Sequence, residues 1–272
     1  MEYSYISSRK NEKIIFASKL CDKKHRDREK LFFVEGAKLL EEVLLSGLSV
    51  RYLFFTEKAL DKYPSLLEKA KACENILVTD EVFQKLSCEE APQGIFSVIS
   101  TPDGAVFSEE ELNEGSFLIL EDVQNPLNIG AVFRCAYSLG TSKLVLTRGC
   151  ADIYNPKVLR GAMGSIFKAK FIICDDIPLF IADQMQRGNR VICTALSKDS
   201  QMLGCFDFKD GDSIVIGNEG RGISQGTLDL CKNSIIIPML QGAESLNAAT
   251  ACSVVLWEKN KGKLISLNKT GV

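Results

Sequence analysis

Histidine is almost absent from this sequence: His25 is the only one among 272 residues. Catalysis by a Ser-His-Asp or Cys-His arrangement needs an imidazole placed beside the nucleophile. His25 instead lies in the charged stretch Lys23-Lys24-His25-Arg26-Asp27-Arg28, which we expect to be a solvated segment. The chemistry of this chain therefore runs largely without imidazole.

Paired cysteine motifs are also missing. The ten cysteines are scattered, and none forms the Cys-x-x-Cys pair typical of zinc sites and disulfide oxidoreductases. Cys174, Cys193 and Cys252 lie inside apolar runs, where a reduced cysteine packs as a small hydrophobe. We therefore predict structural thiols and no bound metal.

Long apolar segments and nucleotide-binding fingerprints are absent too. No run approaches the ~20 apolar residues that span a bilayer. The polar segment Met1 to Lys10 lacks the apolar core of a signal peptide, so we expect a cytoplasmic protein without membrane association. Neither Gly-x-Gly-x-x-Gly nor a Gly-Lys-Ser/Thr P-loop occurs, which excludes a Rossmann-type oxidoreductase and a P-loop protein.

The overall charge gives no basic footprint. The net charge is −2 and the isoelectric point is about 5.7, which counts against nucleic-acid binding because phosphate contacts usually need a cationic surface. Basic residues outnumber acidic ones in the segment from Lys19 to Lys30. This segment fits either a phosphate-binding patch or a solvated helix face of mixed charge. Its cations are Lys19, Lys23, Lys24, Arg26, Arg28 and Lys30.

Apolar β-like runs alternate with amphipathic stretches in both halves of the chain. Residues 1–102 are predicted to form a small α/β domain, in which Asp80 caps a helix. Turn chemistry at Thr101-Pro102-Asp103-Gly104 and an acidic stretch predict a linker over 103–115. Residues 116–272 are predicted to form a second α/β domain, with a mostly parallel sheet and a last helix from Ser245 to about Lys259. Ligands of such sheets bind at the carboxyl ends of the strands.

Three polar and glycine-containing clusters follow predicted strands of the second domain. The first is Asn128-x-Gly130-x-x-x-Arg134, on a helix that Asn125 caps and Pro126 begins. The second cluster is Gly217-Asn218-Glu219-Gly220-x-Gly222, and the third is Ile237-Pro238-Met239 followed by Ser245-Leu246-Asn247. Taken alone, each cluster also fits a capped helix or a tight glycine loop.

In this order and at these separations, the clusters resemble the three motifs of the SpoU (TrmH-like) RNA 2′-O-methyltransferases of the SPOUT superfamily. The resemblance covers roughly residues 115–260, and Arg160 to Phe167 resembles the family segment between the first two motifs. The stretches Arg28 to Gly36 and Pro92 to Ile95 resemble the substrate-binding domain that precedes many SpoU enzymes. That domain is similar to ribosomal proteins that bind kinked RNA.

The resemblance implies a deep trefoil knot, bound S-adenosylmethionine and a homodimer. It assigns catalysis to Arg134, either as a base or as a phosphate clamp, with supporting roles for Asn128, Glu219, Ser245 and Asn247. The residues it assigns to the cofactor are Thr194, Ala195, Leu196, Ile216, Gly217, Asn218, Gly220, Gly222, Ile237, Met239, Leu246 and Asn247.

The implied substrate is a ribose 2′-hydroxyl of a structured RNA, with ribosomal RNA favoured over transfer RNA because of the two-domain layout. A transfer-RNA methyltransferase and a catalytically silent RNA-binding module remain as alternatives, and housekeeping and antibiotic-resistance roles are both open. The residues predicted to contact RNA are Lys23, Lys24, Arg26, Arg28, Gly36, Arg134 and Arg160.

Overall fold

The chain forms two compact units. The computed structural model describes residues 1–196, 200–242 and 245–270. One unit comprises Met1–Asp103 with Asp152–Phe167, and the other comprises Gly104–Ala151 with Lys168–Val272. The linear division at 103–115 placed residues 152–167 in the second domain, but these residues pack in the first unit. Phe32 stacks on Tyr154 and Phe167 there, with ring centroids 4.6 and 6.1 Å apart.

The secondary structure follows the predicted alternation. The strands of the described residues are β1 (Ser4–Ile6), β2 (Leu31–Glu35), β3 (Val50–Phe55), β4 (Glu74–Val78), β5 (Ile95–Ser100), β6 (Leu118–Leu120), β7 (Lys143–Thr147), β8 (Lys170–Cys174), β9 (Val191–Thr194), β10 (Gln201–Met202), β11 (Ser213–Ile216) and β12 (Asn233–Ile236). The α-helices of the same residues are α1 (Glu12–Ser18), α2 (Lys23–Glu29), α3 (Ala37–Leu45), α4 (Glu57–Lys62), α5 (Pro64–Lys69), α6 (Asp80–Leu86), α7 (Glu109–Glu114), α8 (Pro126–Ser138), α9 (Pro156–Ala162), α10 (Ile177–Gln186), α11 (Gln225–Leu230) and α12 (Ala248–Thr270).

The first unit is built on a mixed five-stranded sheet with the order β1-β4-β3-β5-β2. β1, β4 and β3 are parallel, whereas β5 runs antiparallel to both β3 and β2. Its core contains the rings of Phe33, Phe54 and Phe96, and Phe33 stacks on Phe96 with centroids 4.5 Å apart. This aromatic-rich core gives the unit its own apolar centre.

Two details of the first unit correct the sequence predictions. The segment expected to be solvated forms α2, and His25 and Arg26 within it are buried. The Arg26 guanidinium donates to the carbonyls of Leu20 and Cys21 at 2.6 and 2.9 Å and forms an ion pair with Asp152, partners that offset the cost of removing it from water.

The cap of α6 is the second correction. Thr79, not Asp80, caps this helix: its hydroxyl accepts a hydrogen bond from the Val82 N–H at 3.3 Å. Thr79 is the residue with extended backbone before the first helical turn, whereas Asp80 is already helical and contributes its charge to that turn.

The second unit is built on a seven-stranded sheet with the order β10-β12-β9-β11-β6-β7-β8, and each of these strand pairs is parallel. β6 and β11 lie at its centre and all of their residues are buried. This confirms the predicted α/β architecture with a parallel sheet. Within the described residues, no helix has both the length and the apolar character needed to cross a membrane.

Candidate active site

Three loops of the second unit leave the same edge of the sheet. β12, β9 and β11 are adjacent and parallel, so their carboxyl ends lie side by side, which is where ligands of such sheets bind. The loops begin at Ala195, Gly217 and Ile237. The family resemblance assigned all three loops to the cofactor, although residues 197–199 and 243–244 lie outside the described part of the chain.

An apolar cavity of about 390 Å³ lies between the loops that follow β9 and β12. Isoleucine, leucine and methionine side chains dominate its wall, which suits a flat aromatic ring better than a charged group. Its lining includes six of the predicted cofactor residues: Thr194, Ala195, Leu196, Ile237, Met239 and Leu246.

A polar cavity of about 430 Å³ lies against the glycine loop after β11 and the start of α8. Thr194, Ser245, Leu246 and Ala251 line both cavities, so the two are contiguous. The polar cavity brings together most of the remaining predicted site residues, which are Asn128, Ile216, Gly217, Asn218, Glu219, Gly222 and Asn247.

Side chains of the three motifs form one hydrogen-bonded chain in the wall of the polar cavity. The Asn247 amide donates to the Asn128 oxygen at 2.8 Å, and the Asn128 amide donates to Glu219 Oε1 at 2.8 Å. We call Asn128, Glu219 and Asn247 the amide–carboxylate network. Because each member uses its neighbour's donor or acceptor, the network fixes the orientation of all three side chains.

Glu219 is bound by the start of α8. Its carboxylate accepts from the backbone N–H groups of Gln124 and Asn125, at 3.1 and 3.0 Å, as well as from Asn128. Partial burial raises the pKa of Glu219, but these hydrogen bonds outweigh it and hold the pKa below its ordinary value. Glu219 is therefore ionised at neutral pH and is a poor proton acceptor, which favours a positioning role.

The glycine loop is folded on itself by Asn218. Its backbone exchanges two hydrogen bonds with Gly222, at 3.0 and 2.9 Å, while its side-chain oxygen accepts from the N–H groups of Gly220 and Arg221. A Cβ at Gly217 would collide with the backbone of Gly222, so this position needs glycine. Gly220 was predicted to contact the cofactor, but it lines neither cavity and faces solvent.

The last helix, α12, begins at Ala248, two residues later than a cap at Ser245 would place its start. Asn247, not Ser245, caps α12: its Oδ1 accepts from the N–H of Ala249 at 2.9 Å. Ser245 lines the cavities, and no hydrogen bond joins its side chain to the part of the chain that the structure describes. Asn247 therefore links the helix end, the amide–carboxylate network and the cavity.

Arg134 is separated from the rest of the predicted catalytic set. It lies on α8 on the same face as Leu127, seven residues earlier, and both side chains are exposed. Arg134 lines neither cavity, and among residues 1–196, 200–242 and 245–270 it has no hydrogen-bonded or ion-paired partner. The guanidinium of Arg134 is therefore accessible from solvent.

The predicted RNA-binding residues of the first unit divide into exposed and buried groups. Lys23, Lys24 and Arg28 are exposed on α2, and Lys23 forms an ion pair with Asp27 at 3.0 Å. Arg26 is buried, so the prediction that its guanidinium contacts RNA is wrong. Arg160 is half-exposed and ion-paired with Glu89 at 3.2 Å.

Gly36, also predicted to contact RNA, has a φ of 88° at the start of α3. A Cβ here would lie 3.1 Å from Oε1 of Gln93, which accepts a hydrogen bond from the Ala37 N–H. The two stretches that resemble the substrate-binding domain, one ending at Gly36 and the other containing Gln93, are thus in contact.

Sequence reasoning missed a support beneath the glycine loop. Asp122 has a left-handed backbone with a φ of 55°, and its carbonyl accepts from the Asn218 amide at 2.7 Å. The Thr147 hydroxyl donates to the Asp122 carboxylate at 2.7 Å and accepts from the Asp122 N–H. The available signal was an acidic residue two positions after a buried strand, but its partner Thr147 lies 25 positions away.

Two family profiles match the chain. The SpoU rRNA Methylase family matches residues 115–257, which contain both cavities and Arg134. The chain belongs to the SpoU rRNA methylase family. The MRM3-like substrate binding domain matches residues 11–97 of this SpoU protein, within its first unit. The family resemblance that the three motifs indicated is therefore confirmed.

Relatives cover nearly the whole chain. It is 29% identical to the 23S rRNA (guanosine(2553)-2′-O)-methyltransferase RlmP of Bacillus subtilis, over 93% of this chain and 97% of that protein. It is 26% identical to a 23S rRNA (uridine(2479)-2′-O)-methyltransferase of Streptomyces viridochromogenes, over 88% of this chain and 85% of that one. The crystal structure of the SpoU methyltransferase AviRb from Streptomyces viridochromogenes, in complex with AdoMet, matches with a TM-score of 0.81 at 25% identity, over 94% of this chain and 99% of that one.

These matches confirm the predicted enzyme class, an RNA methyltransferase, and the predicted cofactor, S-adenosylmethionine. The likeness to AviRb extends over both units, so neither unit is an addition foreign to the related enzymes.

Proposed function

We propose that this protein transfers a methyl group from S-adenosylmethionine to a ribose 2′-hydroxyl of ribosomal RNA. The observation on which the proposal depends is the pair of contiguous cavities at the ends of β9, β11 and β12, one apolar and one bounded by the amide–carboxylate network. The relatives named above act on 23S ribosomal RNA, which supports ribosomal over transfer RNA.

The two cavities fit the two chemically different ends of S-adenosylmethionine. The apolar cavity, with Ile237, Met239 and Leu246, would hold the adenine. The polar cavity, with Asn128 and Glu219, would hold the charged methionyl end. When bound, the cofactor supplies an electrophilic methyl group on a sulfonium. The network would keep the cavity wall in place, so positioning supplies much of the rate, up to ~7–11 kcal/mol of the barrier.

Arg134 would act on the RNA rather than on the cofactor. A 2′-hydroxyl must lose its proton as its oxygen attacks the methyl carbon, yet a guanidinium with a pKa above ~12 is a poor base. We infer that Arg134 binds the adjacent phosphate in a charge-assisted contact and holds the nucleophile in line, while the phosphate relays the proton. Its exposed position, without a partner among the residues that the structure describes, supports this role.

A homodimer is part of the proposal. α8 and α12 pack together, and their outer faces expose Leu127, Tyr137, Val254 and Trp257. Apolar side chains exposed on two packed helices can form a protein interface. In a symmetric dimer built on this face, Arg134 of one subunit would approach the cavities of the other.

The finer features of the resemblance are also retained as proposals. We infer that the carboxyl-terminal part of the chain threads a trefoil knot, and that the protein works in the cytoplasm. Residues 1–102 would bind the RNA through Lys23, Lys24 and Arg28, and the methyltransferase domain would comprise residues 116–151 and 168–272.

The test is tritium transfer from labelled S-adenosylmethionine to unmodified total RNA, for the wild type and for Arg134→Ala. We expect label in ribosomal RNA that depends on Arg134, and the labelled position follows from digestion of the product. Label in transfer RNA alone would show that the substrate is transfer RNA and not ribosomal RNA. Absence of both label and calorimetric cofactor binding would favour the silent RNA-binding module.

A further inference from the structure

Two exposed cysteines of the first unit lie side by side although they are far apart in sequence. Sγ of Cys21 and Sγ of Cys88 are 3.0 Å apart. A disulfide bond measures ~2.05 Å, so the sulfur atoms need to move by only about 1 Å to bond. Both thiols are free and solvent-exposed.

The backbones that bear these thiols are held by buried charged groups. The Cys21 carbonyl accepts from the buried Arg26 guanidinium at 2.9 Å. The Cys88 N–H donates to Oε2 of the buried Glu35 at 2.9 Å, and the neighbouring Ser87 hydroxyl donates to Oε1 of the same carboxylate. The folded backbone therefore holds the two cysteines at neighbouring positions.

The environment activates one thiol of the pair. The hydrogen bond from Cys88 and the positive charge of Arg26 lower the pKa of Cys21 to about 7. The same contact, burial and the charge of Glu35 raise the pKa of Cys88. Redox-sensitive cysteines combine thiolate character, exposure and a nearby second cysteine, and this pair has all three.

We propose that Cys21 and Cys88 are a redox modification site, at which a hydroperoxide converts two thiols reversibly into a disulfide. The Cys21 thiolate attacks the peroxide, whose oxygen–oxygen bond breaks. One oxygen leaves as water or alcohol, and the other stays on Cys21 as a sulfenic acid. The Cys88 sulfur then bonds to the Cys21 sulfur, and the hydroxyl departs with the Cys88 proton as water. Two electrons pass from the thiols to the hydroperoxide, and a dithiol reductant reverses the step.

The bond would tie the start of α2 to the segment after α6. Cys21 lies two residues before Lys23, the first residue of α2, and Cys88 lies shortly before the Pro92-Gln93-Gly94 stretch. The closed ring runs from residue 21 to residue 88, and cross-links that close long loops restrict the unfolded chain most. This inference does not depend on methyl transfer and applies even if the protein proves catalytically silent.

The test treats the reduced full-length protein with a stoichiometric amount of hydrogen peroxide and maps the products by mass spectrometry without reduction. We expect a Cys21–Cys88 linked peptide, loss of two titratable thiols and a rise in Tm of several degrees that dithiothreitol reverses. Cys73→Ser is the matched control, since Cys73 is exposed in the same unit and has no sulfur contact among the described residues; it should behave as the wild type.

The single variants separate the two steps. In Cys88→Ser, dimedone should trap a sulfenic acid at Cys21, and no cross-link should form. In Cys21→Ser, neither product should appear at this concentration of peroxide. A wild-type protein that forms no Cys21–Cys88 link, or that oxidises other cysteines first, would overturn the proposal whatever the methylation activity is.

Discussion

The polar cavity and the outer face of α8 differ in how completely their polar groups are satisfied. In the cavity, Asn128, Glu219 and Asn247 bond to one another and to the backbone. On the outer face of α8, Arg134 is exposed and has no partner in the described part of the chain. The three network residues thus have partners within the protein, whereas the Arg134 guanidinium has none among the described residues.

The difference indicates a division of labour. A pre-formed hydrogen-bond network costs little to reorganise when a ligand enters, so it can hold a cofactor in a fixed pose. An unpaired guanidinium gains most from an incoming phosphate, because no internal ion pair has to be broken first. We therefore expect variants of the two regions to fail in different ways.

The largest expected effect is that of Arg134→Ala. Loss of a charge-assisted contact made during catalysis should reduce kcat by roughly 100-fold or more, while cofactor affinity and Tm stay at wild-type values. Single-turnover methylation, calorimetry and thermal melts measure the three quantities. Arg148→Ala is the matched control, since Arg148 is an exposed arginine of the same unit that pairs with Asp175 instead. A weaker cofactor affinity in Arg134→Ala would contradict the proposal that Arg134 acts on the RNA while the network acts on the cofactor.

Trp257→Glu tests whether the outer face is completed by a second copy. Trp257 is 47% exposed on α12, and a carboxylate there would be buried without a partner in a dimer. We expect a monomer by light scattering and a loss of activity close to that of Arg134→Ala. Leu179→Glu serves as the control, because Leu179 is an exposed apolar residue on α10 of the same unit. A fully active monomer would show that Arg134 serves its own subunit.

Asn247→Ala should have an intermediate effect on the network itself. It removes the cap of α12, worth ~1 kcal/mol of stability, and the partner of the Asn128 oxygen. We expect lower Tm and weaker cofactor binding together, in contrast to Arg134→Ala. Ser245→Ala, which changes a cavity residue without a hydrogen bond to the described chain, should lower the Tm less. Equal effects of the two variants would contradict the assignment of Asn247 as the cap.

The smallest expected effect is a pH dependence from Glu219. Its pKa is depressed in the folded state, so the stability it contributes is present above the unfolded value of ~4.3 and disappears as the pH falls through the folded pKa. The Tm difference between the wild type and Glu219→Gln should therefore be constant from pH 6 to 8 and shrink below about pH 4. A difference that grows on acidification would show that Glu219 is not bound as a carboxylate.

The alternation of apolar runs with amphipathic stretches was sufficient to predict the main strands of both sheets, because a strand that is buried on both faces needs a continuous apolar run. The short strands β1 and β10 gave no such signal; β10 has two exposed residues. Arg26 shows the opposite failure. Its neighbours in sequence are charged, but its burial depends on Asp152, which is 126 positions away.

Within the site, motif residues and their order were readable from the sequence, whereas their contacts were not. The cap of α12 fell on Asn247 instead of Ser245 because the backbone, not the residue type, decides which side chain meets the first free N–H groups. The closeness of Cys21 and Cys88 likewise follows from chain folding, since no local spacing pattern joins them.

The sequence by itself determined the family, the parallel α/β architecture and the residues available for chemistry, because periodicity and motif spacing are local properties of the chain. The tertiary structure decided which of these residues meet: the amide–carboxylate network closes inside the cavity, Arg134 faces outward, and residues 152–167 return to the first unit. Hydrogen bonds and burial join positions up to 119 residues apart within the network, as between Asn128 and Asn247. Such pairings depend on the whole fold, since each side chain responds to the partners that folding brings within ~3 Å.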